Sequence, residues 1–252
     1  MASMSDERKV VVDGIGKRFE GRQTVQALEA VSFGVDDGEF VCIVGPSGCG
    51  KTTLFRIIAG LETATSGEVR LAGKPVQGPG TDRGMVFQEY GLFPWRTVSG
   101  NVAFGLEQQG LSEHEREERV AEMLELVGLG EFADAYPKEL SGGMKQRVGI
   151  ARALAVDPET LLMDEPFGSV DAQTRGMLHE ELLSVWNETG KTVLFVTHDV
   201  NEAVTLADRI VVMAPSPGRV QEIVDVELER PRERTDEAFA EGVEYVRRLI
   251  SD

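Results

Sequence analysis

No stretch of this 252-residue sequence approaches the roughly 18 consecutive apolar residues of a membrane-spanning helix. Its longest apolar runs, around Phe40 to Val44 and Val193 to Val196, are strand-sized. The first residues, Met1 to Lys9, are polar and lack the apolar core of a signal peptide. The expectation is a cytoplasmic chain that meets a membrane only through a partner and does not insert. Cysteine is scarce, with only Cys42 and Cys49. Neither has metal-ligand company, and Cys49 lies in a glycine loop that a disulfide would distort, so reduced thiols in a reducing compartment are expected. Basic residues are in deficit, 26 against 43 acidic ones, for a net charge of −17. That balance argues against a nucleic-acid partner. The acidic excess is spread along the chain and forms no tail. It fits a surface adapted to high salt, where self-repulsion is screened within about 3 Å at 1 M, or an acidic patch for a basic partner. Stability rising steadily with molar KCl is expected on the first reading and not on the second.

What is present is an alternation of short apolar runs and helical patterns, without internal repeats or low-complexity linkers. Up to about Asp37, apolar and polar residues alternate (Val10, Val12; Val31, Phe33, Val35), as in half-buried strands. Phe40 to Gly45 is a continuous apolar run of the kind a fully buried parallel strand shows. A helix over Thr53 to Ala59 and strands at Gly67 to Gly73 and Gly84 to Gln88 are predicted next. From Glu89 to about Asp157 the pattern is helical. Ser112 and Glu115 form a capping box, Val120, Met123, Leu124 and Val127 share one face, and Gly128 fits the position after the helix. Strands at 160–163, 192–197 and 209–213 then alternate with helices at 172–189 and 201–207. Such alternation argues a parallel sheet covered on both faces. The tail carries Phe239, Val243, Val246 and Ile250 at helical spacing, read as a helix on its own domain or one that binds a partner.

Two segments carry chemistry. Gly45-Pro46-Ser47-Gly48-Cys49-Gly50-Lys51-Thr52-Thr53 fits the phosphate-loop pattern in full, after a buried strand and before a helix. Glycines let the backbone turn its N–H groups to one centre, and the helix N-terminus adds partial positive charge. Lys51 supplies a full charge for the β- and γ-phosphates, and the Thr52 hydroxyl can ligate Mg²⁺. Leu161-Leu162-Met163-Asp164-Glu165 is an apolar strand ending in two carboxylates. Asp164 is placed to hold Mg²⁺, directly or through water, and Glu165 is a candidate general base for an attacking water. A nucleotide and Mg²⁺ are the implied ligands, and ATP is the nucleotide that the family resemblance below implies.

Between these segments lie Gln88, in Val86-Phe87-Gln88-Glu89, and Leu140-Ser141-Gly142-Gly143-Met144-Lys145-Gln146; beyond them lie Asp171 and His198. The order resembles that of ABC-type ATPases over essentially the whole chain. The resemblance implies an α/β P-loop NTPase core with a parallel sheet, an antiparallel β subdomain and a helical insertion subdomain. It divides the single 252-residue domain into a core of residues 1–87 and 158–230, a helical part at 88–157 and a C-terminal helix at 231–252. It implies that Gln88 contacts Mg²⁺ and the water, and that Ser141, Gly142 and Gly143 bind the γ-phosphate held by a second copy. It makes His198 the switch histidine on that phosphate, Asp171 a dimer contact and Phe19 the aromatic on adenine. A serine N-cap followed by two glycines suits close approach to an anion; an ordinary capped helix explains Ser141 but not both glycines. Phe19 stands where the family often has Tyr, and a core Phe is the alternative. Gly168-Ser169-Val170-Asp171 departs slightly from the usual family element. His114 and His179 are expected on exposed helix surface.

Narrower stretches, Phe93-Pro94-Trp95, Asn101 to Leu106, Asp164 to Phe167 with Asp171 to Arg175, and Pro217-Gly218-Arg219, resemble importers for nitrate, sulfonates and taurine, some of whose relatives carry thiamine precursors or other small organic cargo. The resemblance implies an ATPase subunit at the cytoplasmic face of the membrane, a homodimer when ATP-bound. It docks on integral membrane permease subunits near Gln88 to Trp95 and works indirectly with a solute-binding protein. Local packing is an equal explanation of Trp95. A DNA- or ribosome-directed ATPase would need a basic surface or coiled-coil insertions, which are missing. A binding module that hydrolyses little would not need Glu165 and His198, and a small-molecule phosphotransferase gives no reason for Leu140 to Gln146.

Overall fold

A computed structural model describes residues 8–21, 24–88, 90–168 and 170–251. The chain forms two compact units, Met1–Gly80 with Thr192–Asp252, and Thr81–Lys191. The first unit opens with two long strands, β1 (Val10–Phe19) and β2 (Val25–Val35), paired antiparallel with Val10 opposite Val35. Phe40–Val44 follows as β3, all five residues buried, and Lys51–Ile58 as helix α1. Strand β4 (Ser66–Leu71) pairs antiparallel with the other edge of β1, and the two-residue β5 (Lys74–Pro75) completes a four-stranded antiparallel sheet.

The second unit begins with β6 (Arg83–Val86) and continues as helices α2 (Val98–Ala103), α3 (Glu113–Leu126) and α4 (Gly142–Ala155). It closes with β7 (Thr160–Asp164), parallel to β6, and α5 (Ala172–Thr189). The starts of these helices follow from local chemistry. Ser112 and Glu115 make the expected capping box on α3, and Gly128 follows its end at φ +63°. Asp171 accepts from the N–H groups of Gln173 and Thr174 at 3.1 and 3.0 Å at the start of α5. Thr174 and these amides hold the Asp171 carboxyl below its usual range. The three helices α2, α3 and α4 pack on one another. One expectation fails here: His179 is only 2% exposed, its ring 5.2 Å from that of Phe167. It follows buried Leu178 on α5, and the Phe167 contact, invisible to helical spacing, draws it inward.

The first unit resumes with β8 (Thr192–Val196), α6 (Val200–Leu206), β9 (Arg209–Ala214), β10 (Arg219–Asp225) and α7 (Glu237–Ser251). Strands β8 and β9 flank β3 in parallel, with Phe40 opposite Val193 and Cys42 opposite Ile210. β10 returns antiparallel on β9, an addition to the all-parallel expectation. The rings of Phe40 and Phe195, both fully buried, lie 5.8 Å apart; truncating either to Ala costs about 3–5 kcal/mol. The C-terminal helix settles on its own unit: Phe239, Val243 and Val246 are buried, and α7 contacts α6 and β9. Arg232 donates to the carbonyls of Val204, Ala207, Val226 and Leu228, closing the end of α6. Burial pushes its pKa down to about 10.

Candidate nucleotide-binding and catalytic residues

In the first unit the phosphate loop joins β3 to α1. Gly50 precedes the helix at φ +92°, and a Cβ there would stand 2.6 Å from Leu28 Cδ2 and 3.0 Å from the Ala27 carbonyl. Only glycine meets both the left-handed conformation and the close approach. No side chain caps α1, so its first amides are available to an anion. Lys51 is the most telling residue. It is 7% exposed, and its ammonium donates to Gly45 O at 2.7 Å and Pro46 O at 3.1 Å, with Cys49 Sγ at 3.7 Å. These partners are neutral. A buried ammonium without a counter-charge is costly unless an anion joins it.

The loop is braced from below by a segment whose purpose was not legible in the sequence. Gly218 donates its N–H to Ala27 O at 3.0 Å and accepts from Glu29 N–H at 2.9 Å. A Cβ on Gly218 would collide with the Cys49 carbonyl and stand 3.0 Å from that of Ala27. Gly218→Ala is therefore expected to displace the Cys49 peptide and weaken ATP binding by about 10-fold, the loss of about one hydrogen bond to a charged group. Titration calorimetry on the variant, with its melting temperature as control, checks this. The cysteines Cys42 and Cys49 are both free and buried, and burial raises the Cys42 thiol well above its usual range. In the same unit, Ser47, Gly48 and Thr52 are exposed, Pro46 and Thr53 half-buried, and His198 is exposed just past β8. Phe19, at the end of β1, is 41% exposed with Lys17 Nζ 4.9 Å from its ring centroid. It is not a core residue, and its face can receive a base.

The second unit carries the remaining residues. Asp164 ends β7 and is half-buried. Glu165 follows at φ +47°, a left-handed conformation that costs a non-glycine residue about 1–3 kcal/mol and clusters at functional sites. Its carbonyl accepts from Gly168 N–H at 3.1 Å. The Gln88 amide nitrogen lies 3.2 Å from where a Cβ on Gly168 would stand, so Gln88 reaches the turn that follows the carboxylates. Ser169, between Gly168 and Val170, lies outside the described residues.

Ser141 caps α4, its hydroxyl accepting from Met144 N–H at 3.3 Å. The two glycines after it have different neighbours. A Cβ on Gly142 would stand 3.1 Å from the Tyr90 hydroxyl, and one on Gly143 would meet Thr174 and Leu178 of α5. Gly143 thus also serves helix packing, and Tyr90 is a neighbour the sequence reading missed. Arg152 holds that segment, donating to Gly91 O at 2.6 Å and Tyr90 O at 3.0 Å; burial lowers the pKa of its guanidinium. The only sequence signal was an aromatic two residues after Gln88.

Among the described residues no three His, Cys, Asp or Glu side chains converge on a metal position. A hydroxyl and a carboxylate as donors suit Mg²⁺, which keeps few protein ligands and shares phosphate oxygens and water. In the first unit Thr52 carries such a hydroxyl, and in the second Asp164 carries such a carboxylate and Gln88 an amide oxygen.

The ABC transporter family matches residues 28–168. An ABC transporter ATP-binding protein of Methanocaldococcus jannaschii is 54% identical over 97% of this chain and 92% of its own length. A nitrate import ATP-binding protein of Synechocystis is 50% identical over 89% of this chain and 86% of its own, and a taurine import ATP-binding protein of Rhizobium johnstonii is 48% identical over 90% of each. Among solved structures, a dimeric ATP-binding cassette in a post-hydrolysis state with ADP and Pi superposes with a TM-score of 0.75, at 35% identity over 87% of this chain and all of that one. The ammonium-centred phosphate loop, the strand-end carboxylates and the serine-capped glycine pair thus occur in a chain that belongs to the ABC transporter family, as one of its ATP-binding, ATP-hydrolysing subunits.

Proposed function

We propose that this chain powers uptake of a small oxyanionic solute, nitrate or an organic sulfonate such as taurine, through separate membrane subunits. The observation that carries the ATPase half is the buried Lys51 ammonium held by neutral acceptors. The cargo class rests on the nitrate and taurine import relatives. Lys51 and the amides of Gly45 to Thr53 bind the phosphates, and Phe19 receives adenine. Thr52, Asp164 and Gln88 hold Mg²⁺, which when bound neutralises phosphate charge. Glu165 takes the proton of the attacking water, and His198 donates to the γ-phosphate. Ser141, Gly142 and Gly143 serve the nucleotide of a second copy, with Asp171 near the contact, so that two copies enclose two ATP. On this reading the core at 1–87 with 158–230 and the helical part at 88–157 are the working parts of that cycle, and the C-terminal part at 231–252 carries α7.

Permease docking is supported by an exposed aromatic cluster. Trp95 is 71% exposed, Phe93 lies 5.6 Å from it and 4.5 Å from Phe104, and Arg96 covers Phe93 and Phe104 while pairing with Glu107. The fully buried Asn101 amide fixes this segment by accepting from Phe93 N–H and donating to the Phe93, Arg96 and Thr97 carbonyls. Presenting a rigid aromatic patch is what a protein interface requires. None of the described helices is long and apolar enough to cross a membrane, and residence at the cytoplasmic face follows from docking. A solute-binding protein would act through the permease.

Light scattering tests the shared site. Wild-type chain with a non-hydrolysable ATP analogue and Mg²⁺ is expected to shift from monomer to dimer. Ser141→Arg, which fills the glycine cradle with bulk and positive charge, is expected to bind the analogue and remain monomeric. Equal dimerisation of both sinks the shared-site reading.

A further inference from the structure

The geometry points to Glu202 as a positioning residue for His198, acting through the hydroxyl of Thr197. Glu202 is 4% exposed, a buried carboxyl that no step above employs. Asp199 opens α6 as its N-cap, its Oδ1 accepting from Asn201 N–H at 2.9 Å and from Glu202 N–H at 3.4 Å. An Asp followed three residues later by Glu is the pattern of a capping box, in which the Glu carboxylate returns to the N-cap amide. Here a hydroxyl stands between the two. Thr197 Oγ1 accepts from Asp199 N–H at 3.0 Å and donates to Glu202 Oε2. Thr197 is 3% exposed, and its own N–H is held by Ile43 O at 3.2 Å, tying the turn to β3.

His198 is the residue inside this closed ring, exposed while the groups on both sides are fixed. A rigid backbone fixes the direction in which a side chain leaves the chain, whatever else that side chain touches. An ordinary capping box would fix Asp199 alone. Interposing Thr197 extends the clamp to the residue before His198, so the peptide after His198 is held through Asp199 N–H and the residue before it through its hydroxyl and its own N–H. A hydrogen bond made out of water's reach is also stronger than an exposed one. The consequence is that His198 reaches the reacting phosphate without ordering its backbone during the reaction, the pre-organisation that electrostatic stabilisation needs. This inference rests on the reading of His198 as a γ-phosphate donor.

The test is single-turnover ATP hydrolysis with ATP affinity and melting temperature measured alongside. Glu202→Ala and Thr197→Val are expected to slow turnover by about 10- to 100-fold while ATP affinity stays within about 2-fold, the signature of lost orientation. Glu202→Gln and Thr197→Ser, which keep an acceptor and a hydroxyl, are expected to recover most of the rate. In a His198→Ala background, Glu202→Ala is expected to add no further loss, because the group it aims is gone. The same loss in both backgrounds, or a wild-type rate in Thr197→Val, overturns the proposal. If His198→Ala alone keeps the wild-type rate, the role of His198 falls and the proposal with it. A slow His198→Ala beside a fast Glu202→Ala removes only the proposal.

Discussion

Lys51→Ala is expected to lose ATP affinity by about 10- to 100-fold while keeping its melting temperature. A hydrogen bond to a charged group is worth about 1.5–3 kcal/mol, and each 1.4 kcal/mol is tenfold in affinity. The stability half of the expectation comes from the surroundings of the ammonium. Its acceptors are two backbone carbonyls and a sulfur, which compensate only partly for removal from water. A γ-phosphate replaces neutral acceptors with a full negative charge, so the interaction lost in the variant belongs mostly to the complex. Lys51→Arg keeps the charge, but its planar fork does not fit a pocket built around a point charge, and it too is expected to bind weakly. Titration calorimetry with Mg-ATP and thermal melts without nucleotide separate the two effects. Unchanged affinity in Lys51→Ala sinks the phosphate-loop assignment. A collapse in stability shows instead that the ammonium is mainly a structural tie between Gly45 and Cys49.

Features resting on local chemistry were legible in the sequence. The Ser112–Glu115 box and Gly128 at its far end needed only near neighbours. The bounds of α5 came out as read because Asp171 caps it and Gly190 ends it at φ +60°. β3 was visible because both its faces are buried and the apolar run is unbroken. Features set by distant chain were not legible. β1 and β2 run longer than their alternation suggests because bulges around Ile15 and Lys17 break the period of two. β10 is an edge strand with half-buried residues and little apolar signal. His179 turns inward because of Phe167, and Gly218 is required by a carbonyl about 170 positions earlier in the chain. Thr197 and Glu202 were within reach. Asp199 with Glu202 was a readable capping pattern, but nothing local says that the carboxylate would turn to Thr197. At the candidate site, the glycines and carboxylates were recognisable by spacing, whereas Tyr90 beside Gly142 depends on how α4 packs against the segment after β6.

Glu165→Gln is expected to reduce ATP hydrolysis by about 100- to 10,000-fold, the usual contribution of a positioned general base. ATP affinity should remain close to wild type. The amide is nearly isosteric with the carboxylate and keeps an acceptor oxygen, but it does not take a proton at neutral pH. The backbone sharpens the expectation. Glu165 holds φ +47°, and its carbonyl anchors the turn through Gly168 N–H at 3.1 Å. A left-handed residue costs about 1–3 kcal/mol wherever it is not glycine, so Glu165→Gly should relieve strain and raise the melting temperature while also removing activity. The pair of variants therefore separates the carboxylate from the conformation that carries it. Loss of turnover in both, with a stability gain only in the glycine variant, assigns the strain to aiming the base. Single-turnover hydrolysis gives the rate, calorimetry the affinity and thermal melts the strain. A Glu165→Gln variant that hydrolyses ATP within about 10-fold of wild type would move the base elsewhere, because that loss is smaller than general-base catalysis provides. Asp164, one residue earlier at the end of β7, would then be the carboxylate to test next.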